Sequence, residues 1–290
     1  MELWLLYAIG AAVFAALTTI LAKIGLKGLD SHLATVIKTV IVLLCIWGIV
    51  FWIGSYRDIP QIVPRTWIFL TLSGLSTGGA WLCYFRALQL GSVSNVAPLK
   101  KSSTILTVIL AILLLGEPLT VSLLCGIVLM SLGTYLMLDR KKKPQEAMDG
   151  RGWFFFGLLS ALFASMTAIF GSIGIQDIEP NLGVAIRTIP VLPMSVLMLC
   201  LAAPTPKLRT VDKKSWLFLL LSSLATGASW LLFYRALQIG NASFVVPIDK
   251  LSIVLTIGFA RVFFGDRLSP RRLIGLVLLV VGTLLPIVVL

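Results

Sequence analysis

Long uncharged runs separated by short polar turns make up most of the sequence. Each run is about 20 residues long, which is the length an α-helix needs to cross a hydrocarbon core of about 30 Å. The connections are rich in Gly, Pro, Asn and Ser, as is typical of turns. A window of about 19 residues predicts ten spans, at residues 3–24, 33–53, 66–88, 96–115, 119–138, 153–175, 182–202, 216–238, 244–264 and 270–290.

The composition points to the same class of protein. Of the 290 residues 58% are hydrophobic and only 12% are charged, whereas soluble proteins carry about 25% charged residues. A mean hydropathy of +1.01 excludes an ordinary soluble enzyme, a disordered chain and a disulfide scaffold. The sequence therefore predicts an all-α, polytopic membrane protein with ten transmembrane helices.

The two halves of the chain repeat one another at a constant offset of 149 residues. The segment 75–89 aligns without a gap on 224–238, and the same register pairs Pro98 with Pro247 and Lys101 with Lys250. This predicts a first five-helix repeat at 1–138 and a second at 153–290, joined by a basic cytoplasmic linker at 139–152.

An odd number of spans in each repeat makes the second repeat enter the membrane from the opposite side, so the two repeats should be inverted. Inverted repeats are typical of transporters, whose substrate sites lie near the midplane where the repeats meet. Fourteen Lys and Arg residues fall on the side of the linker, against Arg57 and Arg65 on the other. The positive-inside rule then places the linker in the cytoplasm and both termini outside.

Two duplicated motifs resemble a known family. Each half carries a Trp-x-x-x-x-Arg-Ala-Leu segment, at 81–88 and 230–237, and a helix that ends in the sequence Gly-Glu-Pro-Leu-Thr at 116–120 or Gly-Asp-Arg-Leu-Ser at 265–269. These features resemble the EamA-type members of the drug/metabolite transporter superfamily. The resemblance implies two EamA-like repeats of five helices and alternating access around a central cavity, driven by exchange or by a gradient.

Once the charges near helix ends are set aside, six ionisable residues remain inside the predicted spans: Lys38, Lys100, Lys101, Arg187, Asp249 and Lys250. A charge in mid-membrane is costly, so such residues are candidates for a functional site. Lys101 and Lys250 should lie about 9 Å deep from opposite faces, at 1.5 Å per residue. For Lys38 and Arg187, a binding role and snorkelling of the side chain toward the headgroups remain equal alternatives.

Hydroxyl and aromatic side chains complete the candidate substrate-binding set. The spacing i, i+3, i+7 places Lys100, Ser103 and Thr107 on one helix face, and it places Asp249, Ser252 and Thr256 on the equivalent face of the second repeat. Whether these two stripes or Lys101 and Lys250 line the cavity stays open. The spacing i, i+4 places Trp230 and Tyr234 on one face. Asp249 either pairs with a lysine or carries a proton. The remaining members of the set are Trp81, Ser103, Thr107, Trp230, Tyr234, Ser252 and Thr256.

The excess of buried cations predicts a secondary transporter for a small anionic or zwitterionic metabolite. The alternatives are a flippase for an anionic lipid head group such as a polyprenyl phosphate, and a membrane-embedded enzyme or a scaffold. The sequence contains no phosphate loop or nucleophile motif, so we expect no enzyme activity and no cofactor or metal. We expect membrane lipids and the anionic substrate as partners, no nucleic acid, a monomer that suffices for transport, and a location in the cell (inner) membrane.

Overall fold

The protein is described here from a computed structural model, in which residues 3–25, 31–90, 96, 102–137, 152–201, 213–264 and 270–288 are described. These residues form eleven α-helices and a 3-10 helix at Ser55–Gln61, and no strand occurs among them. The helices are α1 Leu3–Gly25, α2 Ser31–Ile53, α3 Pro64–Leu90, α4 Ser103–Leu115, α5 Val121–Met137, α6 Gly152–Gly174, α7 Pro180–Leu201, α8 Lys213–Ile239, α9 Ala242–Lys250, α10 Ser252–Phe264 and α11 Pro270–Val288.

The helices account for the predicted spans. Seven apolar segments of the described chain are long enough to cross a membrane: α1, α2, α3, α6, α7, α8 and the α9–α10 pair. Three further apolar helices, α4, α5 and α11, are shorter. Each of the ten predicted spans thus corresponds to one helix or, for the ninth, to the α9–α10 pair, and the all-α fold class is confirmed.

The ninth span is divided at Leu251, where the backbone N–H donates to the carbonyl of Ile248 at 2.9 Å. Pro247 lies in the preceding helix α9, and a proline removes the donor of one helical hydrogen bond. The residues of α9 from Ala242 to Ile248 are buried. This short helix therefore lies in the protein interior.

The offset of the sequence repeat recurs in the helix bounds. Helices α1, α3 and α4 begin and end 149 residues before α6, α8 and α10. Helices α2 and α5 begin 149 residues before α7 and α11. Equivalent residues therefore occupy equivalent helical positions in these five pairs of helices.

Helices α5 and α11 establish that the repeats are inverted. A Cβ built on Gly126 would lie 2.5 Å from the carbonyl oxygen of Gly282, and one built on Gly133 would lie 2.5 Å from that of Gly275. The earlier glycine of α5 meets the later glycine of α11 and the reverse, so the two helices run antiparallel. Only glycine permits helices to approach so closely. Since α5 and α11 are equivalents, the two repeats have opposite orientations.

Interhelical hydrogen bonds also recur in both repeats. Ser73 Oγ of α3 donates to the Thr167 carbonyl of α6 at 2.8 Å, and the equivalent Ser222 Oγ of α8 donates to the Thr18 carbonyl of α1 at 2.9 Å. Helix α3 therefore packs on α6 as α8 packs on α1. We call the end of the bundle at which α5 ends and α6 begins the linker end, and the opposite end the far end.

Candidate functional site

A cavity of about 270 Å³ lies between the two repeats, and we call it the inner cavity. Helices α2 and α3 of the first repeat and α7 and α8 of the second form its wall. Small-molecule pockets usually measure about 300–1,000 Å³, so the inner cavity suits a small ligand. Its lining residues are Thr35, Lys38, Thr39, Val42, Trp81, Tyr84, Phe85, Met198, Thr226 and Trp230.

A second cavity of about 430 Å³ lies toward the linker end. His32 lies in the first turn of α2, Phe156 lies in the first turns of α6, and Leu201 ends α7. These helix ends all lie at the linker end, so we call this cavity the linker-side cavity. It shares Phe85 and Met198 with the inner cavity. The two cavities therefore adjoin, and together they approach the linker end.

Lys38 contributes a positive charge to the inner cavity. It lies on one stripe of α2 with Thr35, Thr39 and Val42, at the spacing i, i+3, i+4 and i+7 that places residues on one helix face. The side chain is half-buried. Among the described residues no hydrogen bond or salt bridge to the Lys38 ammonium is found. As far as the described residues extend, the cavity therefore presents a cation without a counter-charge.

Arg187, the equivalent of Lys38, has a different environment. It is 2% exposed, its Nε donates to Ser73 Oγ at 3.3 Å, and its Nη2 donates to Thr77 Oγ1 at 2.8 Å. The guanidinium carbon lies 5.2 Å from the ring centroid of Trp230 and 4.6 Å from that of Tyr234. Neutral hydroxyls and aromatic rings therefore hold Arg187, and snorkelling to the headgroups does not describe it.

The far end of the bundle is closed by packing and hydrogen bonds. Tyr234 is buried and its hydroxyl lies 3.2 Å from Ser73 Oγ. Gln238 Nε2 donates to the carbonyls of Ile175 and Ile178, at 2.8 Å each. Tyr234 and Gln238 therefore close the far end among the described residues.

The predicted hydroxyl stripes bind within the protein. Thr107 Oγ1 donates to the Ser103 carbonyl and Thr256 Oγ1 to the Ser252 carbonyl, at 2.8 Å in both cases. Ser165 of α6 also donates to the Ser103 carbonyl at 3.0 Å. Within the described part of the chain, neither stripe lines the inner cavity.

The charged residues of the ninth predicted span pair with one another. Lys250 Nζ lies 3.0 Å from Asp249 Oδ2, and the side chains are 48% and 19% exposed. Pairing with a lysine was one of the two roles that the sequence allowed for Asp249, the other being to carry a proton. Lys100 and Lys101, the equivalents of Asp249 and Lys250, lie outside the described residues.

Of the predicted site residues, the structure brings Lys38, Trp81 and Trp230 together around the inner cavity. Tyr234 and Arg187 lie behind Trp230 and contact one another. Several residues that lie at this site were not among the predicted site residues. A signal for them was available, because Thr77 and Thr226 are identical at equivalent repeat positions and Ser73 is identical to Ser222. The missed residues are Thr35, Thr39, Ser73, Thr77, Tyr84, Phe85, Met198 and Thr226.

Comparison with known proteins assigns the family. A sequence profile described as the EamA-like transporter family matches residues 2–139 and again residues 151–288. The chain belongs to the EamA-like transporter family. It is therefore a multi-pass membrane protein of the drug/metabolite transporter superfamily that moves a small substrate across the membrane, and the resemblance seen in the sequence is confirmed.

Individual relatives are consistent with this membership. A protein of Sinorhizobium sp. named "Uncharacterized transporter in cobO 3'region" is 43% identical over 134 residues, which cover 46% of this chain and 95% of that protein. That relative is thus about as long as one repeat. An "Uncharacterized transporter" of Archaeoglobus fulgidus is 23% identical over 290 residues, covering 97% of this chain and 96% of that one.

A solved structure described as "Crystal structure of protein" shares the fold. Its TM-score is 0.77 at 17% sequence identity, and the match covers 99% of this chain and 96% of that chain. At this identity the similarity concerns the fold alone.

Proposed function

We propose that this EamA-family transporter moves a small anionic or zwitterionic metabolite by alternating access, without altering it chemically. The observation that carries the proposal is the Lys38 side chain on the wall of the inner cavity, where no described residue neutralises it. A cation withdrawn from water is destabilised unless an opposite charge or hydrogen bonds compensate it. A bound carboxylate or phosphate would supply that compensation.

The other residues of the inner cavity fit a small organic anion. Trp81 and Trp230 supply apolar surface with polar ring nitrogens, and such amphipathic rings are common where a ligand buries an apolar body. Thr35, Thr39 and Thr226 add hydroxyl groups. The hydroxyls of Thr39 and Thr226 donate to backbone carbonyls of their own helices, so toward a ligand their oxygens accept hydrogen bonds from donor groups such as the ammonium of a zwitterion. The small volume favours a metabolite over a lipid with its chains.

The direction in which the cavities open supports alternating access. The inner and linker-side cavities adjoin toward the linker end, while buried Tyr234 and the Gln238 hydrogen bonds close the far end. With the linker in the cytoplasm, this arrangement corresponds to an inward-facing state in the cell membrane. Inversion of the repeats supplies the opposite state, in which the far end opens.

A thermal-shift screen of the purified protein tests the proposal. Amino acids, organic acids, sugar phosphates and polyprenyl phosphates are compared with quaternary ammonium and guanidinium compounds. A ligand that binds only the folded state stabilises it by about 2.7 kcal/mol at a hundredfold excess over Kd, and the melting temperature rises as a result. We expect at least one small anion to raise it, and exchange in proteoliposomes to follow for the same compound.

Matched variants connect the signal to the cavity. Lys38→Gln should reduce the shift caused by the anion, whereas Lys214→Gln, which removes an exposed cation in the first turn of α8, should leave it unchanged. Stabilisation by cations and not by anions would refute the anion assignment and direct attention to Asp249. Stabilisation by polyprenyl phosphate alone would instead favour the flippase.

A further inference from the structure

Lys38 and Arg187 occupy equivalent positions in the two repeats, yet the structure gives them opposite environments. Lys38 lines the inner cavity, while Arg187 is 2% exposed and held by Ser73, Thr77 and two aromatic rings. Most of the residues that hold Arg187 have identical equivalents in the other repeat, the exception being Tyr234, whose equivalent is Phe85. The equivalents of the Arg187 partners Ser73, Thr77 and Trp230 are the identical residues Ser222, Thr226 and Trp81.

The partners that would hold Lys38 are already near it. Thr226 and Trp81 line the same cavity as Lys38, and Phe85 corresponds to Tyr234 without its hydroxyl. The hydrogen bond that fixes Ser222 to the Thr18 carbonyl matches the one that fixes Ser73 to Thr167. A second set of contacts, equivalent to the one around Arg187, is therefore encoded around Lys38 and is not engaged in this state.

Resting on the alternating access of the proposed function, we infer that Lys38 and Arg187 alternate as the cation of one central anion site. When the linker end is open, Lys38 faces the cavity and Arg187 is withdrawn onto Ser73 and Thr77. When the far end is open, Arg187 faces the cavity, and Lys38 is withdrawn onto Ser222 and Thr226. Trp81 and Trp230 are exchanged by the inversion, so both belong to the site in both states.

The arrangement also limits the charge that the substrate presents to the site. Of this pair only one cation is free in each state, and Asp249 and Lys250 neutralise one another. Among the described residues, one anionic group on the substrate therefore suffices to compensate the free cation of the pair. A hydroxyl-bound arginine lacks a counter-ion among the described residues, so it can exchange its neutral partners for an anion at small cost.

The pair Thr39 and Thr188 allows the alternation to be measured without altering either cation. They are equivalent, and each hydroxyl donates to the carbonyl four residues earlier, at 2.8 Å and 2.7 Å. Thr39, next to Lys38, lines the inner cavity with 4% of its surface exposed, whereas Thr188, next to Arg187, is 0% exposed and lines neither of the two cavities. Substitution by cysteine changes the side-chain volume little and introduces a reactive thiol.

The experiment labels Thr39→Cys and Thr188→Cys in a background whose four free cysteines, Cys45, Cys83, Cys125 and Cys200, are replaced by alanine. Impermeant methanethiosulfonate reagents are added to one side of oriented vesicles. Lys214→Cys marks the linker side and Arg57→Cys the far side, since both residues are exposed.

We expect Thr39→Cys to react from the linker side and Thr188→Cys from the far side only. At the far end the Glu117 carboxylate accepts hydrogen bonds from the Ala242 and Ser243 N–H groups. The Glu117→Gln substitution, which weakens this contact between the repeats, should increase the second reaction.

A comparison of anionic and cationic reagents identifies the charge at each position. The sulfonate reagent should react faster than the trimethylammonium reagent at both cysteines, because an unpaired cation lies beside each one when it is exposed. Lys38→Gln should lower this ratio by about tenfold at Thr39→Cys and leave it unchanged at Thr188→Cys, and Arg187→Gln should do the reverse. If Arg187→Gln does not fold, the ratio at Thr188→Cys with Arg187 present still decides the matter.

Two results would overturn the alternation. The first is that the thiol of Thr188→Cys fails to react from the far side both when Glu117 is present and in the Glu117→Gln variant. The second is that, at Thr188→Cys labelled from the far side, the sulfonate reagent reacts no faster than the trimethylammonium reagent. Neither measurement uses a substrate, so a failed ligand screen would refute the proposed function separately.

Discussion

Glu117 and Ala242 belong to opposite repeats, and the Glu117 Oε1 atom accepts a hydrogen bond from the Ala242 N–H at 2.7 Å. Oε2 accepts from the Ser243 N–H at 2.9 Å. Asn241, at the N-cap of α9, makes no capping hydrogen bond with its own side chain. A carboxylate at a helix N-terminus is stabilised by the free N–H groups and the helix dipole. Glu117 therefore caps α9 and joins the two repeats at the far end.

Replacing Glu117 by glutamine should loosen this cap. Glutamine keeps one acceptor oxygen but loses the charge, and a cap of this kind contributes about 1 kcal/mol. We expect the amides of Ala242 and Ser243 to exchange hydrogen about five times faster in Glu117→Gln, measured by mass spectrometry in detergent. Glu179→Gln serves as the control, because the Glu179 carboxylate accepts from the Leu182 N–H of α7 at 2.9 Å. Equal exchange at α9 in all three proteins would show that Glu117 does not stabilise the closure.

The crossing of α5 and α11 should tolerate no side chain at Gly126. A Cβ there would meet the backbone oxygen of Gly282 at 2.5 Å, and backbone atoms can give way only by moving the helices apart. Gly126→Ala should therefore lower stability by about 1–3 kcal/mol, seen as a lower melting temperature. The control is Gly48→Ala in α2, where nothing lies within 4 Å of the new methyl group. That change should stabilise by about 0.5–1 kcal/mol, because alanine favours a helix, and similar losses in both variants would contradict the packing argument.

Lys250 and its equivalent Lys101 remain predictions of the sequence as substrate-binding residues. Lys250→Met and Lys101→Met keep much of the stem volume and remove the charge, so folding should largely survive while transport falls. Because the repeats are related by inversion, substrate affinity should weaken by a similar factor in both. Exchange in proteoliposomes measures this beside Lys23→Met as a control, and full activity in both variants would mean that these lysines only reach toward headgroups.

The orientation of the protein can be tested independently of its substrate. Fourteen basic residues against two place the linker at 139–152 and the loop containing Lys207 in the cytoplasm. Single cysteines introduced at Arg140 and Lys207 should resist an impermeant thiol reagent applied to intact cells and react after the membrane is permeabilised. Ready labelling of both positions in intact cells would reverse the orientation and leave the fold unchanged.

The fold followed from local properties of the sequence. Apolar runs long enough to span a membrane must form helices, because the backbone finds no other hydrogen-bond partners in lipid. The offset of 149 residues and the odd number of spans per repeat required inversion, and the antiparallel contact of Gly126 with Gly282 agrees. Lys38 and Trp81 were also recognised in the sequence, since a cation and a duplicated aromatic residue within spans are conspicuous.

Only the tertiary structure decided which candidates meet. Helical phase relates residues on one helix, whereas the inner cavity combines Lys38 of α2 with Trp230 of α8, almost two hundred residues apart. Phase also could not reveal that Thr107 and Thr256 bind their own helices. Above all, Lys38 and Arg187 have equivalent positions in the two repeats, yet Lys38 lines the inner cavity and Arg187 is buried. The packing of the helices in a given state determines which cation is exposed, because opening one end of an inverted pair closes the other.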